Sequence, residues 1–397
     1  MSSPLIKKIY CLQSHPIQYF SPLFQAIAAK GFCNFKVFYC SDSSVKGYFD
    51  RGFGSNIKWD IPLLEGYPSQ FLKNYSPKPG TNLKLFNLIN PGIIKVILKD
   101  KPDIVWLHGW SYLTIWFAIM ACKISGTKIW MKSESPLNQE LVKSKQNRFL
   151  KKIFLQHFLF KLIDKFLYIG TENKEFYQHY KVPDHKLIFS PYAIDNDRFS
   201  KAFHKLKSEK NKIKEQLNIP LNSIVLLFSG KLISKKRPLD LLDAFKQLND
   251  PNLFLIFLGD GELKTTIEEE VKINNIENVK ISGFVNQKEI SNYYTMANIL
   301  ILPSTMGETW GLVVNEAMNF DLPVIVSDMV GCAKDLVKDD VNGYTYPVGD
   351  TKILVSKLKC LYLSAQKLES FGLASGRIVK QYSYEMVIQG IEYSLNE

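Results

Sequence analysis

Short apolar runs alternate with amphipathic stretches along the whole chain. Runs at 6–12, 35–40, 103–108, 128–131 and 165–170 are rich in Ile, Val, Phe and Tyr, as expected of strands buried on both faces. Between them, apolar residues recur at helical spacing over 22–30, 92–99, 112–123 and 147–163. The pattern lapses over 50–74, where Trp59-Asp60-Ile61-Pro62-Leu63 predicts an irregular loop or hairpin. The scheme then repeats, with runs at 224–230, 253–259, 279–283, 299–303 and 323–327. Such alternation predicts an α/β protein with parallel, doubly wound sheets and ligands at the carboxyl ends of the strands.

The two series give two domains, 1–195 and 196–375, followed by an amphipathic C-terminal piece, 376–397. A length of 397 residues supports this division, because a single core rarely grows that large. A charged helix is predicted at 201–217, just after the junction. Hydrophobic content of 46% and aromatic content of 13% are those of a globular protein. The longest apolar run, 113–122, is too short to span a bilayer, and the start Met1-Ser2-Ser3-Pro4-Leu5-Ile6 has no signal-peptide pattern. The expectation is a cytoplasmic chain, peripheral at most on the inner face of the cytoplasmic membrane. Six scattered cysteines without a C-x2-C pair read as buried thiols in a reducing compartment, and suggest no zinc site. The net charge of +12 favours anionic partners, among which nucleic acid, anionic lipid and nucleotide phosphates all qualify.

One stretch concentrates the candidate chemistry. The run ending at Pro303-Ser304 is followed by a loop carrying Glu308, then Gly311, then the helical spacing of Leu312, Val313, Ala317 and Met318. A helix opening at the end of a parallel strand offers free N–H groups to a phosphate. A loop carboxylate beside that site, Glu308, suits sugar-type hydroxyls, and Glu316, about two turns inside the helix, suits a ribose. A second glycine turn, Gly230-Lys231-Leu232-Ile233-Ser234-Lys235-Lys236-Arg237-Pro238, brings cations to another strand end. Three strand ends in the first half carry polar groups: His15 in the loop 13–20, His108 before Gly109-Trp110, and Ser133 and Glu134 in 131–136. His108 reads equally as a substrate contact or as a structural side chain, and for His15 the structural reading is slightly favoured over a substrate contact.

The pair Glu308 and Glu316, spaced E-x7-E, with Gly311 between, Pro303-Ser304 before and Leu322-Pro323-Val324-Ile325 after, resembles the donor-site motif of glycosyltransferase family 4, the glycosyl transferases group 1. The resemblance is strongest over about 190–350, where Pro191, Ile194, Asp195 and Phe199 also match the family's interdomain segment. It implies a GT-B fold, two Rossmann-like domains facing a cleft, and retaining transfer of a hexose-like sugar from a nucleotide-diphosphate donor. Lys231 and Lys236 would then stabilise the leaving diphosphate, since the transition state accumulates negative charge there. Glu308 would hold the donor sugar and Glu316 the ribose. Gly230, Gly311, Leu312 and Val313 would line the donor site, and Phe284 in Gly283-Phe284-Val285 would lie near the base or in the core. His15, His108 and Glu134 would face the acceptor or the sugar. The acceptor would be a saccharide or a polyprenyl-linked lipid, in the making of a bacterial surface glycan. The resemblance implies neither a protein nucleophile nor a cofactor beyond the donor.

The chain departs from the family pattern in several places. Lys231 replaces the usual arginine, the loop 13–20 lacks the usual glycines, and 131–136 has no histidine. Asp321 precedes Leu322-Pro323 where a glycine is common. No D-x-D motif stands where a metal-dependent transferase needs one, so metal independence is expected. Sugar phosphorylases and disaccharide synthases share the motif and remain alternatives. A non-catalytic nucleic-acid-binding protein rests on the net charge alone, since no nucleic-acid motif accompanies it, and the reading is of no nucleic-acid partner. Lys145, Arg148 and Lys152 recur at helical spacing in a basic, aromatic stretch, which suits either an anionic membrane surface or an ordinary solvated face.

Overall fold

The computed structural model describes residues 6–50 and 52–396. The chain forms two compact units. The first contains the residues up to Tyr48, Ile57–Pro191 and those from Tyr384 onward; the second contains Phe49–Asn56 and Tyr192–Ser383. The units therefore divide at Pro191, a few residues before 195. The stretch 376–383 stays with the second unit, and the helix Tyr384–Asn396 belongs to the first.

The strands before Pro191 are β1 (Lys8–Gln13), β2 (Asn34–Tyr39), β3 (Tyr48–Asp50), β4 (Ser55–Ile57), β5 (Ser69–Phe71), β6 (Ile104–His108), β7 (Lys128–Lys132), β8 (Lys165–Tyr168) and β9 (Leu187–Phe189). Seven of them make one sheet in the order β5-β2-β1-β6-β7-β8-β9, every neighbour parallel. The helices Gly92–Asp100 and Leu113–Ser125 cover one face through Ile93, Ile97, Ile115 and Ile119, which are buried against Leu107, Ile129 and Phe166. The remaining two strands, β3 and β4, form a separate hairpin. The expectation of a loop or hairpin over 50–74 thus resolves into that hairpin, a loop, and the edge strand β5.

The second unit has β10 (Ile224–Ser229), β11 (Leu253–Leu258), β12 (Val279–Gly283), β13 (Ile299–Leu302), β14 (Val324–Ser327) and β15 (Gly343–Tyr346). They lie in the order β12-β11-β10-β13-β14-β15, again all parallel. Helices Pro238–Leu248 and Thr351–Tyr362 bury Leu241, Phe245, Leu354 and Leu358 against Leu226, Leu255 and Ile301.

In each unit the strand order reverses beside one strand, β1 in the first and β10 in the second. Connections leave that strand in opposite directions, which opens a crevice at its carboxyl end. Within the first unit the loops after β1 and β6 therefore end up side by side, and within the second unit those after β10 and β13. These are the loops that carry the candidate residues.

Several elements differ from the sequence reading. The strands β5, β9 and β15 have no counterpart in it, because two are three residues long and the third opens on Gly343. That glycine lies so close to β14 that a Cβ would meet the Val324 carbonyl oxygen at 1.9 Å. The helix expected at 147–163 begins earlier, at Lys145, where Ser144 Oγ accepts a hydrogen bond from the Asn147 N–H. It gives way to a π turn at Ile153–Phe158 and a 3₁₀ turn at Leu159–Leu162. The charged helix at 201–217 is two helices, Asn196–Leu206 and Lys210–Gln216, the first capped by Asp195 accepting from the Arg198 N–H at 2.9 Å. Five cysteines are buried, but Cys360 is exposed. No helix among the described residues is long and apolar enough to cross a membrane.

Candidate functional site

The site residues of the second unit come from the two loops beside β10. Gly230 follows β10 with φ 148°, and a Cβ on the adjacent-strand glycine, Gly259, would lie 1.8 Å from the Gly230 carbonyl oxygen. Only glycines let these two backbones approach so closely. The chain then turns through Ser234–Lys236 to Arg237, whose φ of 50° ends the turn and opens the helix Pro238–Leu248. Arg237 is held by Asp240 (Nε to Oδ2, 2.6 Å), so it stabilises the helix start.

The turn aims Lys236 at the loop after β13. Lys236 Nζ is ion-paired with Glu308 Oε2, and both side chains are only 13% exposed. Ser304 Oγ donates a second hydrogen bond to the same oxygen at 3.0 Å. Burial alone would raise the Glu308 carboxyl, but Lys236, Lys235 and the Ser304 bond outweigh it and hold its pKa below the ordinary value. Lys235 is exposed and reaches the Gly307 carbonyl oxygen at 3.3 Å; burial of its stem lowers its pKa, partly opposed by Glu308. The two loops expected to hold a diphosphate and a sugar thus neutralise each other directly.

Gly311 precedes the helix Leu312–Met318 with φ 97°, and a Cβ there would come within 2.8 Å of Leu302. The helix has seven residues, so Glu316 lies about one turn inside it, closer to its start than expected. Leu312 and Val313 are half-buried at its opening. Glu316 is fully buried and accepts a 2.6 Å hydrogen bond from the Tyr294 hydroxyl, which also lies 3.3 Å from Ser229 Oγ. Trp310 is buried beside it, its Nε1 donating to Asn315 Oδ1 at 2.8 Å. Phe284 is half-buried at the carboxyl end of β12, not in the core.

In the first unit, Gln13 at the end of β1 and His108 at the end of β6 meet, Nε2 to Nε2 at 3.0 Å. The His108 ring stacks on Trp106 (5.2 Å between centroids) and meets the edge of Phe20 at 5.0 Å. Burial and the nearby Lys132 push its pKa far down, so the ring is neutral and accepts from the Gln13 amide. His15 is half-buried, its Nδ1 lies 2.9 Å from Ser14 Oγ, and burial pushes its pKa down to about 4. Ser133 is committed to Tyr177: its N–H and Oγ lie 3.0 and 2.9 Å from the phenol oxygen. Glu134 is half-buried. Lys132 is buried with Nζ donating to Ser190 O and lying 3.0 Å from Ser190 Oγ; burial pushes its pKa down to about 7. Lys132 and Tyr294 were not singled out by the sequence, which offers no signal for a side chain whose partner lies on a distant element.

Residues 209–392 match the family described as glycosyl transferases group 1. Among curated relatives, an Escherichia coli UDP-Gal:alpha-D-GlcNAc-diphosphoundecaprenol alpha-1,3-galactosyltransferase is 26% identical over 67% of this chain and 68% of its own length. A lipopolysaccharide 1,2-N-acetylglucosaminetransferase of Salmonella typhimurium is 26% identical over 47% of this chain and 51% of its own. Among solved structures, Anabaena HepE in complex with UDP and glucose superimposes with a TM-score of 0.71 at 18% identity, covering 98% of this chain and 99% of that one. WaaG, a glycosyltransferase involved in lipopolysaccharide biosynthesis, gives 0.67 at 14% identity over 97% and 98%. The fold is GT-B, with two Rossmann-like units.

The Lys236–Glu308 pair makes a stability prediction. Lys236→Met leaves a buried carboxylate without its counter-ion and is expected to lower stability at pH 7 by about 3 kcal/mol. In the native chain the Glu308 carboxyl is depressed, so the pair's contribution is present above the unfolded glutamate pKa and is lost as pH falls through the folded one. The gap between native and variant should therefore close on acidification below about pH 4. Denaturant melts at pH 7 and at about pH 2.5, below the unfolded glutamate range, measure it, and an equal gap at both would contradict the assignment.

Proposed function

We propose that this chain, which belongs to the group 1 glycosyltransferases, transfers a hexose-like sugar with retention from a nucleotide-diphosphate donor to a saccharide or polyprenyl-linked acceptor in surface-glycan synthesis. The observation that carries the reading is the meeting of Lys236 and Glu308 beside β10. A diphosphate can replace Glu308 on Lys236, and the released carboxylate is then free to take hydroxyls of the donor sugar. Once Lys236 turns to the diphosphate, the Glu308 carboxylate depends on those hydroxyls, on the Ser304 hydrogen bond and on the nearby Lys235 charge. Lys231 adds charge on the same turn, and Gly230 lets the backbone come close. Glu316 would leave Tyr294 to take the ribose, with Gly311, Leu312 and Val313 along the same edge and Phe284 near the base. His15, His108 and Glu134 are assigned to the acceptor or sugar side; both histidines, being neutral, would serve as hydrogen-bonding groups there and not as cations. The relatives named above, whose names specify a diphosphoundecaprenol acceptor and a lipopolysaccharide product, support the acceptor class.

The reading needs no metal, because the lysines supply the charge that a cation would. Lipid docking is supported by the helix Lys145–Lys152 and the turn after it. Phe149 (64%), Leu150 (66%) and Phe158 (53%) are largely exposed. Lys151 and Lys143 reach the buried Glu140, at 2.6 and 2.9 Å, while Phe149 and Leu150 stand outward, and Leu155 and Leu159 of the following turns are buried. Lys145 and Lys152 are exposed; Arg148 is half-buried, so two of the three proposed cations stand fully on that surface. No nucleic acid enters this reading.

Two measurements test these points. With donor and acceptor in hand, Glu308→Ala should lower kcat by about 100-fold or more with little change in donor affinity, whereas Glu316→Ala should act mainly on KM. Turnover should survive EDTA. The reverse split between the two glutamates, or loss of activity on chelation, would contradict the roles or the metal independence. In vesicle flotation, the protein should bind anionic vesicles in preference to neutral ones, each exposed cation contributing about 1 kcal/mol. Phe149→Asp should weaken that binding, and equal flotation with both lipids would contradict docking.

A further inference from the structure

Residues 49–56 precede most of the first unit in sequence yet cluster with the second unit. They form the hairpin of β3 and β4, with Gly52, Phe53 and Gly54 at its tip. Asp50 closes the turn by accepting from the N–H groups of Gly52 (2.8 Å) and Phe53 (3.1 Å). Both of its carboxylate oxygens also accept from the Lys231 ammonium, at 2.7 and 2.8 Å. Phe53 meets the edge of Phe284 with centroids 5.0 Å apart, and Lys231 Nζ lies 4.9 Å from the Phe53 centroid. Gly52 is so close to Lys231 that a Cβ would come within 2.6 Å of the lysine Cδ. The Asp50 side chain is 13% exposed and that of Lys231 32%. The hairpin therefore rests on two residues of the donor site, and its carboxylate occupies the cation assigned to the diphosphate.

A lysine is a single point charge, unlike the planar fork of an arginine, which can hold a carboxylate and a phosphate side by side. We propose that Asp50 is an internal counter-anion that exchanges with the donor diphosphate at Lys231, so that the hairpin sets how tightly the nucleotide is held. The inference rests on the reading of Lys231 as a diphosphate contact. Entry of the donor must break the Asp50–Lys231 pair, and re-formation of the pair helps to expel the spent nucleoside diphosphate. Burial raises the Asp50 carboxyl, but the Lys231 pair and the two N–H bonds outweigh it and keep the group ionised at neutral pH.

The test is calorimetry of the full chain with UDP, GDP and ADP, and with uridine, guanosine and adenosine. Asp50→Asn removes the charge but keeps an oxygen to accept the turn bonds. It should tighten binding of the preferred nucleoside diphosphate by about fivefold, the upper end for a partly exposed ion pair. The matching nucleoside, which has no diphosphate, should bind as before. In a Lys231→Met background, Asp50→Asn should give no such gain, which keeps the result readable if one variant is destabilised. Unchanged or weaker diphosphate binding by Asp50→Asn would overturn the proposal while leaving the nucleotide reading in place. Equal tightening of the nucleoside would also overturn it, since the hairpin and not its charge would then be acting. Binding of no nucleotide by either chain would overturn both readings.

Discussion

The second unit depends on a charge constraint at the end of one strand. Beside β10 the sheet reverses its order, and this brings the loop after β10 against the loop after β13. Lys236 on one and Glu308 on the other are mostly buried, so each charge needs the other as its partner there. Each is the other's solvation. The two loops are also tied by the Thr305 N–H, which donates to the Lys235 carbonyl oxygen at 2.8 Å, and by Lys235 Nζ donating to the Gly307 carbonyl oxygen at 3.3 Å. A site with its charges already balanced can accept an anion only by exchanging one partner for another. That is why the proposed chemistry is one of displaced ion pairs.

The fold and the two loops were legible because they rest on local signals. Buried parallel strands such as Leu253–Leu258 are continuous apolar runs, and Gly230, Gly311 and Pro303 punctuate their ends. The likeness to the group 1 glycosyltransferases, whose family model matches residues 209–392, was legible from the same stretch, with its fixed spacing of Glu308, Gly311 and Glu316. What escaped the sequence is non-local. Tyr294 is an unremarkable residue until the fold sets it on Glu316, and Asp50 lies 181 residues from Lys231. The edge strands β5 and β9 are too short to show a period, and β15 exists because Gly343 allows close approach to β14. The helix expected at 147–163 is present but changes pitch after Lys152, with Leu155, Leu159 and Phe160 buried and Phe149, Leu150 and Phe158 exposed, and periodicity does not register that change.

The first unit uses the same topology for a less charged site. Gln13 and His108 close the crevice beside β1, and burial keeps His108 and His15 neutral. Lys132, buried against Ser190, lies next to the point where the chain passes to the second unit. Neutral hydrogen-bonding groups suit a hydroxylated ligand, whereas the second unit's lysines suit a phosphate. That contrast follows the division between acceptor and donor in the proposed reaction.

The central claim is that the loops beside β10 hold the diphosphate of a nucleotide sugar. A calorimetric screen of uridine-, guanosine- and adenosine-diphosphate sugars, with Lys236→Ala and Glu316→Ala alongside, tests it most directly. The account predicts binding of one base, weakened at least about tenfold in each variant, as loss of a charge-assisted contact implies. Tight binding that neither substitution affects, or no binding by a folded native chain, would contradict it.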